Sequence, residues 1–213
     1  QYKNNNILFT IGIADCYQFK EQEKFWGKRY IQSSFQDKYK FGPSADIGVF
    51  FNYKFNNFIS ADVLLVNGEG YNSVQNDESF KATAGITVNP YNWLTLRLYT
   101  DRFTQADEKQ FTLATFAGLK FKPFELAAEF NYQANNKNNP GFNWYGLSTY
   151  TKINITKKIN VFGRYDILRS VITRTETLPW NIAGDGSAVF AGAEYVPLKN
   201  IKDLCHKPLI YWV

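Results

Sequence analysis

The chain has 213 residues, with 24 Lys and Arg against 19 Asp and Glu, a formal net charge of +5. Hydrophobic residues make up 45%, aromatics 18% and charged residues 20%, which excludes a disordered chain of low hydrophobicity and high charge. No apolar run approaches the roughly 18 residues of a membrane-spanning helix, and the basic residues are scattered among acids, which argues against nucleic acid as a partner.

From the N-terminus, period-two alternation predicts a strand at 6–15. A long connection, 16–43, follows. Within it Ile31, Phe35 and Tyr39 recur at four-residue spacing, which predicts a short loop helix. The next strand, 44–55, separates an oily set (Ala45, Ile47, Val49, Phe51, Tyr53, Phe55) from a mixed one (Asp46, Gly48, Phe50, Asn52, Lys54). Strands are then predicted at 58–68, 79–89, 92–103 and 109–121. In 124–134 the split is cleaner, with Phe124, Leu126, Ala128, Phe130 and Tyr132 opposite Glu125, Ala127, Glu129, Asn131 and Gln133. Strands at 143–155, 159–169 and 187–196 bring the expected number to about ten.

The connections fall into two alternating classes. Tight turns are expected at Asn56-Asn57, Asn89-Pro90-Tyr91, Lys122-Pro123, Thr156-Lys157-Lys158 and Pro197-Leu198-Lys199-Asn200, and longer loops at 16–43, 69–78, 104–108, 135–142 and 170–186. Such asymmetry is the pattern of an outer-membrane barrel, with short periplasmic turns and long extracellular loops. Charge placement agrees, since a Lys or Arg on a lipid-facing position at mid-bilayer costs roughly 2–4 kcal/mol. Asp46 and Lys54, Arg97 and Asp101, Lys120 and Lys122, Glu125 and Glu129, and Arg164 and Asp166 each share parity within their strand. Arg102, Lys109 and Arg169 break parity at the loop ends, where a long side chain reaches the headgroups. Aromatics gather near strand ends as two girdles: Phe51, Tyr53, Phe55, Tyr91, Phe121 and Phe124 by the short turns, and Tyr99, Phe111, Tyr132 and Tyr145 toward the long loops.

The expected fold is therefore all-β, a single domain over 1–213: an antiparallel up-and-down transmembrane β-barrel. Its second face would line a hydrated lumen with Asp46, Lys54, Asp62, Lys81, Arg97, Asp101, Lys120, Lys122, Glu125, Glu129, Lys152, Arg164, Asp166 and Glu194. The same residues would equally serve as cross-strand ion pairs that keep the wall wet and ordered. Arg97, Lys120 and Arg164, in mid-strand, are the candidates for meeting a passing anion. In the 16–43 connection Lys24, Lys28 and Arg29 are candidates for a constriction if the loop folds inward; the alternative is a loop packed over the rim.

Enzymatic chemistry finds little support, and no catalytic residue, metal site or cofactor is expected. The only histidine, His206, sits in the tail beside Cys205, and Cys16 and Cys205 lack metal-ligand spacing. Asn67-Gly68-Glu69-Gly70 lacks the spacing of a phosphate-binding loop and reads as a strand running into a turn.

Phe25-Trp26-Gly27-Lys28-Arg29-Tyr30, Ser44-Ala45-Asp46-Ile47-Gly48, Val66-Asn67-Gly68-Glu69-Gly70-Tyr71, Phe162-Gly163-Arg164-Tyr165-Asp166 and Ala193-Glu194-Tyr195-Val196-Pro197 occur in this order along most of the chain. As an ordered set they resemble the phosphate-selective-porin-like outer-membrane barrels of Gram-negative bacteria. The resemblance implies passive passage of small solutes. Phosphate selectivity in that family rests on a file of arginines and a lysine cluster, whereas the lumen expected here mixes acids and bases.

The family's barrels have more strands, this chain has no Met, and Gln1 to Asn6 is not a secretory signal, so a truncated wall is expected. The functional expectation is a bacterial outer-membrane channel for small hydrophilic solutes or ions, in contact with outer-membrane lipid and lipopolysaccharide and compatible with homo-oligomers. The alternatives are a non-conducting barrel that anchors or binds through its loops, and a soluble barrel or sandwich with its apolar face inside.

Overall fold

The computed structural model of the chain describes residues 1–72, 79–105, 108–173 and 179–196. Its strands are β1 (Tyr2–Lys3), β2 (Ile7–Asp15), β3 (Ala45–Lys54), β4 (Ile59–Val66), β5 (Phe80–Tyr91) and β6 (Leu94–Gln105). They continue with β7 (Glu108–Phe121), β8 (Phe124–Ala134), β9 (Phe142–Asn154), β10 (Ile159–Ile172) and β11 (Gly186–Tyr195). All eleven form one antiparallel sheet in chain order. The sheet is an open up-and-down meander: β1 and β11 are its edges, and no pairing joins them among the described residues.

Ten of these strands are the ten that alternation predicts, and the addition is the two-residue β1, too short to show a period. The expected loop at 104–108 is overturned. Pairing runs on to Gln105↔Glu108, so only two residues separate β6 from β7. The remaining turns carry their own local logic. Asn56 Oδ1 accepts from the Phe58 and Ile59 amides at 2.7 and 2.9 Å, and Thr156 Oγ1 accepts from Lys158 and Ile159 at 3.1 and 3.0 Å. In each, a short polar side chain closes a turn that leaves no strand residue unpaired. The expected turn at Pro197–Asn200 lies outside the described residues, as do Cys205 and His206.

The 16–44 connection carries two short helices, α1 (Lys20–Trp26) and α2 (Phe35–Lys38). The four-residue spacing finds α2, which opens at Phe35 and is capped at Tyr39, and misses α1. Ile31 lies in the irregular stretch between them, and the longer helix falls on a stretch where Phe25 and Trp26 both point to the sheet. Gly27, at φ +61°, ends α1 with its amide donating to Glu23 O at 2.8 Å, a left-handed termination that glycine tolerates best.

This connection lies on one face of the sheet and makes it curl. Tyr17 packs edge-on against Phe50 of β3 with ring centroids 6.4 Å apart, and Lys28 Nζ lies 2.7 Å from Glu194 of β11. Flat strands spaced ~4.8 Å apart would put β3 and β11 nearly 40 Å apart. The intervening α1, seven residues long, spans only ~10 Å, so the sheet wraps around the segment.

Candidate functional site

Apart from the two-residue β1, which is exposed throughout, the strands have a covered face, toward the inserted segment, and a bare face. On the bare face Ile11, Ile13, Val49, Val63, Leu65, Ile86, Leu98, Leu126, Phe130, Leu147 and Val189 are exposed. On the covered face Asp46, Asp62, Lys81, Arg97, Asp101, Glu129, Arg164 and Asp166 are buried. The distribution is the reverse of a water-soluble sheet, in which charge faces solvent and oil is covered.

Two wall arginines anchor the segment in the same manner. Arg97 makes a fork with Asp62 (2.7 and 3.0 Å), donates to Thr87 Oγ1 at 2.9 Å, and gives another N–H to the Tyr17 carbonyl at 2.8 Å. Arg164 makes a fork with Asp166 (2.7 and 2.7 Å) and donates to the Ser33 carbonyl at 2.5 Å. Each carboxylate fixes the plane of its guanidinium, and the free edge then points at a backbone oxygen of the segment. Gln133 completes the set by donating to the Phe41 carbonyl at 3.0 Å.

Apolar seats lie between these polar anchors. Trp26 packs on Tyr150 and Phe162 at 5.8 and 5.9 Å, and Phe25 on Phe116 at 5.7 Å. Glycine makes room for the rings. A Cβ on Gly118 would stand 2.7 Å from the Phe25 ring, and one on Gly146 would collide with Phe35.

The expected lining residues fall into three groups. Asp46, Arg97, Asp101, Glu129, Arg164 and Asp166 are buried under the segment and engaged. Asp101 pairs with Lys81 at 2.8 Å, Asp46 Oδ2 accepts from the Gly68 amide at 2.8 Å, and Glu129 accepts from Tyr150, Asn131 and Gln36. Glu125 pairs with Lys152 at 3.1 Å and Glu194 with Lys28, all on the covered face toward the short turns. Lys54 and Lys120 remain exposed at that end, Lys120 with its ammonium 5.1 Å over the Phe25 ring. Of the three candidates for contacting an anion, Arg97 and Arg164 are thus occupied holding the segment, and Lys120 is open.

The segment's own cations are mostly paired. Lys24 bonds Glu21 at 2.6 Å, Lys28 bonds Glu194, and Arg29 bonds Glu23 and, at 2.9 Å, Asp37. Its titrating groups feel the cover. Burial pushes the Cys16 thiol up to about 12 against a weaker opposing pull from Lys81, and burial followed by the Asp166 carboxylate pushes Tyr39 to about 12. Lys38 is held below its ordinary value by burial, with Asp166 opposing.

One girdle assignment fails. Tyr99 is on the covered face with its hydroxyl 2.9 Å from Asp101, and its parity with Arg97 already carries that signal. On the bare face by the short turns, Tyr91, Trp93 and Phe121 form a stacked row at 4.9 and 4.7 Å. Sequence reasoning missed Gln36, Gln133, Gly118 and Gly146, whose roles appear only once the segment is in place.

Comparison with protein-family models, with curated protein sequences and with solved structures finds no match for this chain.

Proposed function

We propose that this sheet is the wall of an outer-membrane barrel and that its covered face forms a narrow, hydrated path for small hydrophilic solutes or ions. The observation that carries this is the inversion of the sheet: an exposed apolar face on the same strands whose opposite face holds buried, paired charge. Lipid suits the first face and water the second. Polar atoms on the covered side add to the case. Gln22 Oε1, Thr83 Oγ1, Asp101 Oδ1 and Asn131 Oδ1 are buried with no protein partner among the described residues, a costly arrangement unless water reaches them.

In this reading the 16–44 segment sets the aperture. The family resemblance is consistent with it, while the balance of acids and bases along the face gives no preference for phosphate. Planar-bilayer recordings on the full-length protein should show discrete pore currents; their absence would defeat the channel.

A second reading, a non-conducting barrel, draws on one specific observation: the buried charges Lys81 and Asp101, Arg97 and Asp62, and Arg164 and Asp166 are paired, and the segment is seated among them. Liposome swelling separates the two, since a sealed barrel admits no solute of any size.

A further inference from the structure

We propose that a polar cleft at the long-loop end of the sheet binds a short neutral oligosaccharide, resting on the reading of the covered face as a solute path. The cleft has a volume of about 640 Å³, within the range of small-ligand sites. It lies between the end of the inserted segment (Lys40 to Ser44), the turn after β4 (Gly68 to Asn72) and the Asn136–Asn138 turn after β8.

The site is built rather than incidental. Asp37, Lys81, Gln110, Asn136 and Asn138 line it and are each more than nine-tenths buried. Asn138 is fixed from both sides: its Nδ2 donates to Gln105 at 3.0 Å and its Oδ1 accepts from the Gln110 amide at 3.0 Å. Backbone strain is concentrated at the same place. Among the described residues the non-glycine positions with positive φ are Lys40 (59°), Asn135 (53°), Lys137 (52°) and Asn138 (57°), and all but Asn135 line the cleft. Strained left-handed residues gather where a fold holds a ligand.

The lining selects among ligand classes. A divalent cation is disfavoured, because no group of three His, Cys, Asp or Glu exists among the described residues and four cations face the cleft. An inorganic anion meets Asp37 and Glu69, and most of the positive charge is already answered: Lys81 by Asp101 at 2.8 Å, Arg29 by Glu23 and by Asp37 at 2.9 Å, and Lys40 by Asp37 at 3.8 Å, which leaves Lys137 set against Glu69 in the balance. An apolar ligand would strip water from Ser44, Glu69 and Asn72, whose side chains have no partner among the described residues. A neutral polyol is the remaining match. Its hydroxyls both donate and accept, as these side chains require, and its C–H face stacks on an aromatic ring such as the exposed Tyr71 or the neighbouring Phe103.

The test is titration of the full-length protein in detergent with maltotriose, followed by calorimetry and by tryptophan fluorescence. Trp144 reports on the cleft because it stacks at 5.1 Å on Phe41, a lining residue. Saturable binding is expected, unchanged between about 0.05 and about 0.5 M salt as befits an uncharged ligand. Tyr71→Ala should weaken it about tenfold through loss of a stacking face, and Glu69→Gln should leave it within about twofold. No saturable signal, no response to Tyr71→Ala, or salt-dependent competition by inorganic phosphate would overturn the proposal. Maltotriose binding without pore current would leave the cleft standing and defeat the channel.

Discussion

The two faces of the sheet share a backbone and differ in almost everything else. Across β6, Leu96 and Leu98 stand exposed, while Arg97, Tyr99 and Asp101, of the opposite parity, are buried in a web of ion pairs and hydrogen bonds. In a water-soluble protein hydrophobic burial is the main favourable term. The covered interface here combines forks and carbonyl contacts with three apolar clusters, built around Phe25 and Trp26, around Phe50, Leu64 and Val66, and around Phe35, Phe41 and Trp144, whereas the bare face has no such cover among the described residues. The two faces should therefore respond to opposite kinds of substitution.

The largest effect is expected inside. Arg164→Met takes both fork bonds from Asp166, fully buried beside it and left, among the described residues, with only Ser148 at 2.7 Å and Lys38 at 3.8 Å, and should cost about 3 kcal/mol in urea unfolding of the detergent-folded protein. Adding Asp166→Leu should recover part of that loss, because much of the cost lies in a buried carboxylate that has lost its closest cation. On the bare face, Leu98→Arg should cost about 2–4 kcal/mol when folding is measured into lipid vesicles. A change within about 0.5 kcal/mol, the usual size at a water-facing site, would mean that this face meets water.

A smaller effect tests the seat of the segment. Gly146→Val drives a methyl into the Phe35 ring and should cost about 1–3 kcal/mol. Limited trypsin treatment should then cut at Lys38 or Lys40 while the strands stay protected. Smallest is the pH effect of Cys16. With the folded thiol raised to about 12 from 9.0, the folded state keeps its proton where the unfolded chain loses it. Stability from this group is whole below about pH 9 and drains away as pH rises toward about 12. Cys16→Ala should flatten that slope, and alkylation of Cys16 at pH 8 should be slow until the protein unfolds.

The strands were legible because alternation is a local property: Phe124 to Gln133 announces both its faces within ten residues. Parity likewise assigned Asp46, Arg97, Glu129 and Arg164 to one side of the sheet. The partners were not legible. Arg97 reaches Tyr17 across 80 residues and Arg164 reaches Ser33 across 131, and no period in the sequence encodes such distances. Helix α1 has no sequence signal for a related reason: its Phe25 and Trp26 are adjacent, set by the pockets of β7, β9 and β10 instead of by a repeating helical face.

The contact between Lys28 and Glu194 spans 166 residues, the longest reach of the inserted segment. Neighbouring strands of the meander pair as soon as each hairpin exists, at small cost in loop closure. The segment emerges between β2 and β3, yet its seat is incomplete until β11 has joined the far edge. The segment therefore gains its contacts strand by strand, on β6, β8 and β10 first, and its seat is complete only when β11 is present.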